Sequence, residues 1–332
     1  MSIEPLTDSH GRNITYLRIS VTDRCNLRCV YCAPTTIFKW IPHENILRFE
    51  EIDRLVRMLC LMGIKKIRIT GGEPLVRKGV ASMIEGFCCL DGLEKICLTT
   101  NGVYLKKYAK RLYDAGLKHV NISLDSLDRE RYRAITRRDC LDSVLDSLDE
   151  VLSLGFHPIK LNCVVLKGIN DRDLVELARL SLDKPFQVRF IEFMPIGEKS
   201  SWTSDKFMSS DDTKSLIEKE LGPMKPVPEA ISRGPAKVFK LSGAVGEIGF
   251  ISPLSHHFCG TCNRIRLTAD GKIRLCLFSD QEWDVLPLLR KNVSDSELED
   301  FLRHAVKSKP MGHMGESSHV PSCKKNMSSI GG

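Results

Sequence analysis

The sequence predicts an α/β fold: a partial (β/α)6 TIM-type barrel with a C-terminal β-containing extension. From residue 14 to about residue 192, short β-rich runs alternate about six times with segments of helical period. Such alternation implies parallel strands with helices outside them. Six units are too few for a complete eight-stranded barrel. The pattern changes after Met194-Pro195, so we divide the chain into a barrel core, residues 1–195, and an extension, residues 196–332.

The core is predicted to contain six strands with amphipathic helices between them. Ile52, Leu55, Val56 and Leu59, for example, recur at the spacing that places them on one face of a helix. The predicted strands are Tyr16–Val21, Lys66–Thr70, Lys95–Thr100, His119–Leu124, Ile159–Leu166 and Gln187–Glu192. The predicted helices are Glu50–Met62, Val103–Ala115 and Asp142–Leu154.

The extension is predicted to be mainly β. Asp270-Gly271 between its last two runs is a hairpin signal. The predicted strands are Lys237–Leu241, Glu247–Ile251, Arg264–Thr268 and Lys272–Leu275, and the predicted helices are Asp211–Glu220 and Ser294–Val306. The polar tail from residue 307 to residue 332 is expected to be irregular.

Composition limits the classes of partner. The chain has 332 residues, 13 cysteines and a formal net charge of +7. Without a visible secretory signal, clustered cysteines in odd number favour metal binding by reduced thiols. No apolar run approaches the ~20 residues that cross a bilayer, and no RNA-binding aromatic signature is present. We therefore expect an anionic small molecule, no membrane, no nucleic acid, and a reducing compartment, either cytoplasm or mitochondrial matrix.

Six of the cysteines form two trios. Cys25, Cys29 and Cys32 directly follow the first predicted strand, and Cys259, Cys262 and Cys276 lie in the extension. Three thiolates can hold three corners of a cubane iron–sulfur cluster. Since neither trio has a fourth thiol nearby, one iron of each cluster would stay open for a ligand. Structural zinc, with a fourth ligand from a distant cysteine, is the alternative for the first trio.

Polar motifs also follow the other strands, where barrel enzymes place their chemistry. Gly71-Gly72 would let a ligand approach the backbone closely, and Glu73 offers acceptors for an amine. Arg264 and Arg266 would share one face of a strand and bind phosphate or carboxylate. Charged residues also interrupt apolar strand runs, where an anionic ligand would compensate them; these are Arg18, Arg68 and Lys160.

The first trio, with an aromatic residue before its last cysteine and a Gly-Gly-Glu-Pro strand end, resembles the radical S-adenosylmethionine superfamily. The resemblance implies that Cys25, Cys29 and Cys32 hold a 4Fe–4S cluster whose open iron chelates S-adenosylmethionine. Reductive cleavage would then give methionine and a 5′-deoxyadenosyl radical. The residues that would line the S-adenosylmethionine site are Tyr31, Gly72, Ser123 and Met194.

The second trio narrows the resemblance to the GTP 3′,8-cyclase family of molybdenum cofactor biosynthesis. Matching segments are Asp23–Cys29, Arg68–Leu75, Thr99–Gly102, Asn121–Asp125, Arg189–Pro195 and the C-terminal Gly331-Gly332. The resemblance implies a second 4Fe–4S cluster on Cys259, Cys262 and Cys276 and a Gly-Gly tail that reaches the active site. It implies GTP contacts from Arg18, Arg68, Thr99, Lys160, Arg264, Ile265 and Arg266. Of these, we expect Arg18, Arg264 and Arg266 to be the catalytic residues that orient the substrate.

The expected reaction converts GTP to (8S)-3′,8-cyclo-7,8-dihydroguanosine 5′-triphosphate. The expected partners are GTP, an external low-potential electron donor, a downstream cyclic pyranopterin-forming enzyme and a second copy of the chain. Two alternatives remain open. A peptide-modifying radical enzyme with an auxiliary cluster would bind peptide rather than GTP. An iron–sulfur carrier would have fully ligated clusters whose spectra do not respond to S-adenosylmethionine.

Overall fold

The computed structural model describes residues 4–32, 40–197, 200–228, 234–312 and 323–331. The strands are β1 (Tyr16–Ser20), β2 (Lys66–Thr70), β3 (Lys95–Thr100), β4 (His119–Ser123), β5 (Ile159–Val165), β6 (Phe186–Glu192), β7 (Met224–Pro226), β8 (Lys237–Leu241), β9 (Glu247–Ile251), β10 (Arg264–Leu267), β11 (Lys272–Arg274) and β12 (Trp283–Asp284). The helices are α1 (Phe49–Leu61), α2 (Val80–Cys88), α3 (Leu105–Asp114), α4 (Arg129–Thr136), α5 (Leu141–Ser153), α6 (Leu174–Asp183), α7 (Ser210–Leu221), α8 (Leu286–Arg290), α9 (Asp295–Lys307) and α10 (Met327–Ile330).

All strands belong to one open sheet, in the order β12-β11-β10-β1-β2-β3-β4-β5-β6-β9-β8-β7. The six core strands pair in parallel, as the strand–helix alternation predicts. The extension adds a parallel strand at each side of this set: β10 pairs with β1 and β9 pairs with β6. The sheet is therefore continuous across residue 195, and a division into domains at that position stays a prediction.

Local sequence explains where the elements form. The apolar face predicted for α1 is buried: Ile52, Leu55, Val56 and Leu59 are all 0% exposed. Helix α9 begins with a capping box, because the Ser294 hydroxyl accepts from the Glu297 N–H at 3.2 Å while the Glu297 carboxylate accepts from the Ser294 N–H at 3.0 Å. The predicted bounds of the core strands and helices agree with the observed ones to within two residues. In the tail, α10 is a short helix where we expected irregular structure.

The core strands carry two different faces. In β5, burial alternates residue by residue, as expected when one face packs under the helices and the other faces the concave side. Cys163 is buried in the hydrophobic core, whereas Cys97 is buried outside that core and pairs in register with Arg68. The concave side instead carries polar and charged residues from neighbouring strands. No helix in the described part of the chain is long and apolar enough to span a membrane.

Candidate active site

A cavity of about 360 Å³ occupies the concave side of the sheet. Both cysteine trios line it, and so do all four residues predicted for the S-adenosylmethionine site. Of the residues predicted to contact GTP, the lining includes Arg18, Arg68, Thr99, Lys160, Arg264 and Arg266. Ile265 is not part of this lining; it is 1% exposed and packs in the hydrophobic core. A contact between Ile265 and a ligand stays a prediction.

The loop of the first trio is fixed by the strand end that follows β2. The Gly72 N–H donates to Thr22 O at 2.6 Å, and the Glu73 N–H donates to Arg24 O at 2.8 Å. A Cβ atom at Gly72 would lie 2.4 Å from Arg24 O. The Gly-Gly pair therefore allows two backbone segments to meet. The close approach of a ligand at this pair stays a prediction.

Glu73 connects three segments beneath the cavity. Its carboxylate accepts from Thr100 Oγ1 at 2.8 Å, from the Leu75 N–H at 3.0 Å and from the Asn101 N–H at 2.7 Å. Burial raises the pKa of Glu73 to about 7, because its effect outweighs that of these hydrogen bonds, which act to lower the pKa. Both carboxylate oxygens thus already have protein donors. These hydrogen bonds hold the ends of β2 and β3 in place. Glu73 also lines the cavity, and its contact with an amine stays a prediction.

Tyr31 is held by a buried carboxylate from the end of β4. Its hydroxyl donates to Asp125 Oδ2 at 2.7 Å, and Asp125 Oδ1 accepts from the Val164 N–H at 2.9 Å. Burial raises the pKa of Asp125 to about 6. Because Tyr31 lies between Cys29 and Cys32, this contact ties the trio's loop to β4 and β5.

Two buried cations support the second trio. Lys309 is 3% exposed and its ammonium donates to Arg264 O at 2.8 Å and to Leu275 O at 2.5 Å. The Arg12 guanidinium donates to Cys259 O at 2.8 Å and pairs with Asp8. The Arg12 contact joins residues about 250 positions apart, and the Lys309 contacts join residues about 40 positions apart. No local sequence motif predicts either of them.

The two trios lie in opposite electrostatic surroundings. Burial raises the pKa of Cys32 to about 12. Burial also acts to raise the pKa of Cys262, but Arg264 and Lys309 outweigh it and lower that pKa to about 7. Burial therefore disfavours the thiolate at Cys32, whereas Arg264 and Lys309 favour it at Cys262.

Three arginines stand side by side on adjacent strands of the concave face. Arg18 pairs in register with Arg266 on one side and with Arg68 on the other. The Arg68 guanidinium donates to Tyr16 Oη at 2.6 Å and to Thr99 Oγ1 at 3.1 Å. Neither acceptor is a carboxylate, so these two hydrogen bonds do not neutralise the charge of Arg68.

Two further cations, which the sequence does not assign to the site, extend this row. Lys66 and Arg189 line the same cavity. Burial, with Arg189 and Arg68, lowers the pKa of Lys160 to about 6. Period-two spacing could have identified Lys66, because side chains alternate along a strand and Lys66 lies two residues before Arg68 on β2.

The C-terminal tail reaches the wall of this cavity. The Arg266 guanidinium donates to Gly331 O at 2.6 Å. Gly331 has a φ of +75°, and a Cβ atom there would lie 3.0 Å from Thr70 Cγ2 and 3.1 Å from Ser20 Cβ. Only glycine fits this backbone without strain. Gly332 and residues 313–322, which complete the predicted tail, lie outside the described residues.

The cavity lining offers thiol donors in two separate trios, and each trio could contribute three thiolates to an iron–sulfur cluster. Within the described ranges, no group of three or more His, Cys, Asp or Glu side chains converges on a single metal ion. Asn162 Oδ1 also lines the cavity, buried and without a hydrogen-bond partner in the described structure, so a ligand donor would satisfy it.

Comparisons with known proteins identify the family. Residues 19–181 match the family model "Radical SAM superfamily", and residues 186–315 match "Molybdenum Cofactor Synthesis C". The GTP 3′,8-cyclase of Thermodesulfovibrio yellowstonii is 49% identical over 328 residues, covering 98% of this chain and 100% of the relative. The chain belongs to the GTP 3′,8-cyclase family of the radical S-adenosylmethionine superfamily. The GTP 3′,8-cyclase of Alkaliphilus metalliredigens is 46% identical over 327 residues, with 98% and 100% coverage.

Solved structures confirm the predicted fold class. Streptococcus suis SuiB bound to S-adenosylmethionine superposes with a TM-score of 0.57 at 16% sequence identity. The alignment covers 92% of this chain and 69% of the SuiB chain. SuiB bound to its precursor peptide SuiA gives a TM-score of 0.58, also at 16% identity. At this identity the likeness concerns the fold alone, a partial barrel whose sheet stays open.

Proposed function

We propose that this chain is a GTP 3′,8-cyclase that forms (8S)-3′,8-cyclo-7,8-dihydroguanosine 5′-triphosphate, the first step of molybdenum cofactor biosynthesis. The observation that carries the proposal is that two cysteine trios and a row of arginines line one cavity. Nearly full-length relatives of the same name, 44–49% identical, support it. The peptide-modifying alternative has weaker support, because the similar structures of that kind are only 16% identical.

Each trio would hold one 4Fe–4S cluster. Cys25, Cys29 and Cys32 would hold the cluster that binds S-adenosylmethionine and, when bound, supplies its reductive cleavage to a 5′-deoxyadenosyl radical. Cys259, Cys262 and Cys276 would hold the auxiliary cluster, whose open iron would face the guanine base. The residues proposed to line the S-adenosylmethionine site are Tyr31, Gly72, Ser123 and Met194, all of which face the cavity.

The chain's own part is binding and orientation. Arg18, Arg264 and Arg266 would clamp the substrate, since guanidinium groups bind phosphate through paired hydrogen bonds. The negative charge of the bound triphosphate would favour the protonated form of Lys160. Holding the ribose and base rigidly in this enclosed site brings the reacting carbons together and excludes water and stray hydrogen donors.

The remaining partner assignments are proposals of the same kind. The relatives come from bacteria such as Thermodesulfovibrio yellowstonii and Moorella thermoacetica, so we propose the bacterial cytoplasm as the compartment; the mitochondrial matrix has no support. A one-electron donor and an enzyme that converts the cyclised nucleotide to cyclic pyranopterin would act before and after this step. A homodimer stays a prediction.

The test is anaerobic reconstitution followed by turnover. The reconstituted chain should hold about eight irons and about eight sulfides. Incubated with S-adenosylmethionine and dithionite, it should form 5′-deoxyadenosine only when GTP is also present. Formation of 5′-deoxyadenosine that does not depend on GTP would contradict the assignment of substrate.

Cysteine variants provide matched controls. Cys32→Ser and Cys276→Ser should each lower the iron content by about half, because each breaks one trio. Cys89→Ser should leave it unchanged, since Cys89 is exposed and outside both trios. Equal iron loss in all three variants would show that the trios are not separate cluster sites.

A further inference from the structure

A second cavity, of about 530 Å³, lies outside the barrel next to the loop of the first trio. We call it the outer cavity. Its lining contains the side chains of Arg24, Arg48, Arg77, Lys78 and Arg290 and one carboxylate, Glu44. Of these cations, Arg48 and Arg290 pair with Glu51. No role in binding S-adenosylmethionine or GTP uses these residues, since none of them lines the inner cavity.

Neighbouring residues of the same backbone segment line the two cavities. Thr22 and Arg24 line the outer cavity, whereas Cys25, the next residue, lines the inner one. The segment that faces it also contributes to both cavities, since Gly72 lines the inner cavity and Arg77 lines the outer cavity. The hydrogen bonds from Gly72 and Glu73 to residues 22 and 24 hold these two segments together. A partner seated in the outer cavity would therefore be one peptide unit from a cluster ligand.

Some of the basic side chains have a structural role and others do not. The Arg77 guanidinium donates to Val21 O at 2.6 Å and to Leu47 O at 2.7 Å, which fixes the rim of the cavity. Arg24 and Lys78 are exposed, and the structure as described gives neither side chain a hydrogen bond or ion pair. Their charge is left to an anionic partner.

We propose that the outer cavity is the docking site of an acidic, low-potential one-electron carrier protein that reduces the cluster held by Cys25, Cys29 and Cys32. This inference rests on the proposed function, which requires one electron for each cleavage of S-adenosylmethionine. In the proposed step no bond forms or breaks. The carrier is oxidised by one electron, as when a flavodoxin passes from its anionic hydroquinone to its neutral semiquinone, and the oxidised cluster is reduced by the same electron.

The first experiment measures docking without turnover. A purified flavodoxin of net negative charge, in its oxidised form, is titrated into the reconstituted protein at several salt concentrations. Lys78→Glu and Arg24→Glu should each weaken binding about tenfold and flatten its salt dependence. The matched control is Lys107→Glu, which reverses an exposed charge on α3, away from both cavities, and should bind as the unmodified chain does.

The second experiment measures electron transfer. Flavodoxin hydroquinone or dithionite is mixed with each variant, and bleaching of the cluster absorbance is followed. The ratio of the flavodoxin rate to the dithionite rate should fall about tenfold in Lys78→Glu and Arg24→Glu but not in Lys107→Glu. Equal ratios in all variants overturn the proposal, and so does a flavodoxin rate no faster than the buffer background in the unmodified chain.

Two further outcomes separate the possible errors. If inorganic phosphate binds more weakly to Lys78→Glu while flavodoxin binding is unchanged, the outer cavity is a small-anion site and the docking proposal is wrong. If dithionite reduces the cluster but no 5′-deoxyadenosine forms with GTP, the proposed function fails, whereas the docking result is still read from the binding titration.

Discussion

Replacing Gly72 with alanine should separate the role of this glycine in backbone packing from any role in ligand contact. The new Cβ would lie 2.4 Å from Arg24 O and 2.6 Å from Asp23 O. Both obstacles are backbone atoms of the loop that carries Cys25, so neither can rotate away. The loop must move, and the hydrogen bonds that Gly72 and Glu73 donate to it, of 2.6 and 2.8 Å, must break.

The expected cost follows from these contacts. Two lost hydrogen bonds at about 1 kcal/mol each and overpacking of about 1–3 kcal/mol give a destabilisation of about 3–5 kcal/mol. For a chain of this length, that lowers the midpoint of thermal unfolding by about 4–7 °C. The displaced loop should also hold its cluster poorly, so the iron content should fall toward half.

Gly86→Ala is the matched control. Gly86 lies inside α2, and a Cβ atom there would meet no atom within 4 Å. Alanine should stabilise the helix by about 0.5–1 kcal/mol, with the iron content unchanged. The assays are thermal unfolding monitored by circular dichroism and colorimetric iron counting. An unfolding midpoint and iron content of Gly72→Ala equal to those of the unmodified chain would refute the steric reasoning.

Three further variants test the cavity. Lys309→Met removes the ammonium that donates to Leu275 O and Arg264 O. Iron should then be lost to a chelator at least about tenfold faster. Loss at the rate of the unmodified chain would contradict this. Arg266→Ala should abolish cyclisation while iron content stays complete, and normal GTP turnover would show that the substrate pocket is placed wrongly. Because its pKa is lowered to about 6, Lys160 is mostly neutral above pH about 7, and a triphosphate should raise that pKa and draw in a proton. GTP affinity should therefore fall as the pH rises, and calorimetry in buffers of different ionisation enthalpy should detect proton uptake that Lys160→Met lacks.

Short-range pattern predicted the reactive residues well. The cysteines of the first trio lie within eight residues, and their loop directly follows a strand, so their convergence needs no knowledge of the rest of the chain. Arg18 and Arg68 were assigned through the family resemblance, and their position as charges inside apolar strands agrees with that assignment. The helix faces were found for a similar reason, since apolar spacing in α1 reports directly which side is buried.

Contacts across long sequence separations could not be predicted in this way. Lys309 and Arg12 support the second trio from positions that carry no motif. The hydrogen bonds that Glu73 accepts from Thr100 and Asn101, at the end of the next strand, were not predicted either. Lys66 was missed although the alternation along β2 places it on the same face as Arg68.

The sequence by itself determined the strand–helix order, the two thiol trios and the family to which the chain belongs. Each of these depends on residues that lie close together along the chain. Only the tertiary structure decided that β10 and β9 extend the parallel sheet on both sides and so bring the second trio to the same cavity as the first. It also decided that the Gly331 carbonyl meets Arg266. The physical reason is that a sheet edge can pair with any of several segments far away in the sequence. Which segment pairs there depends on how the whole chain packs.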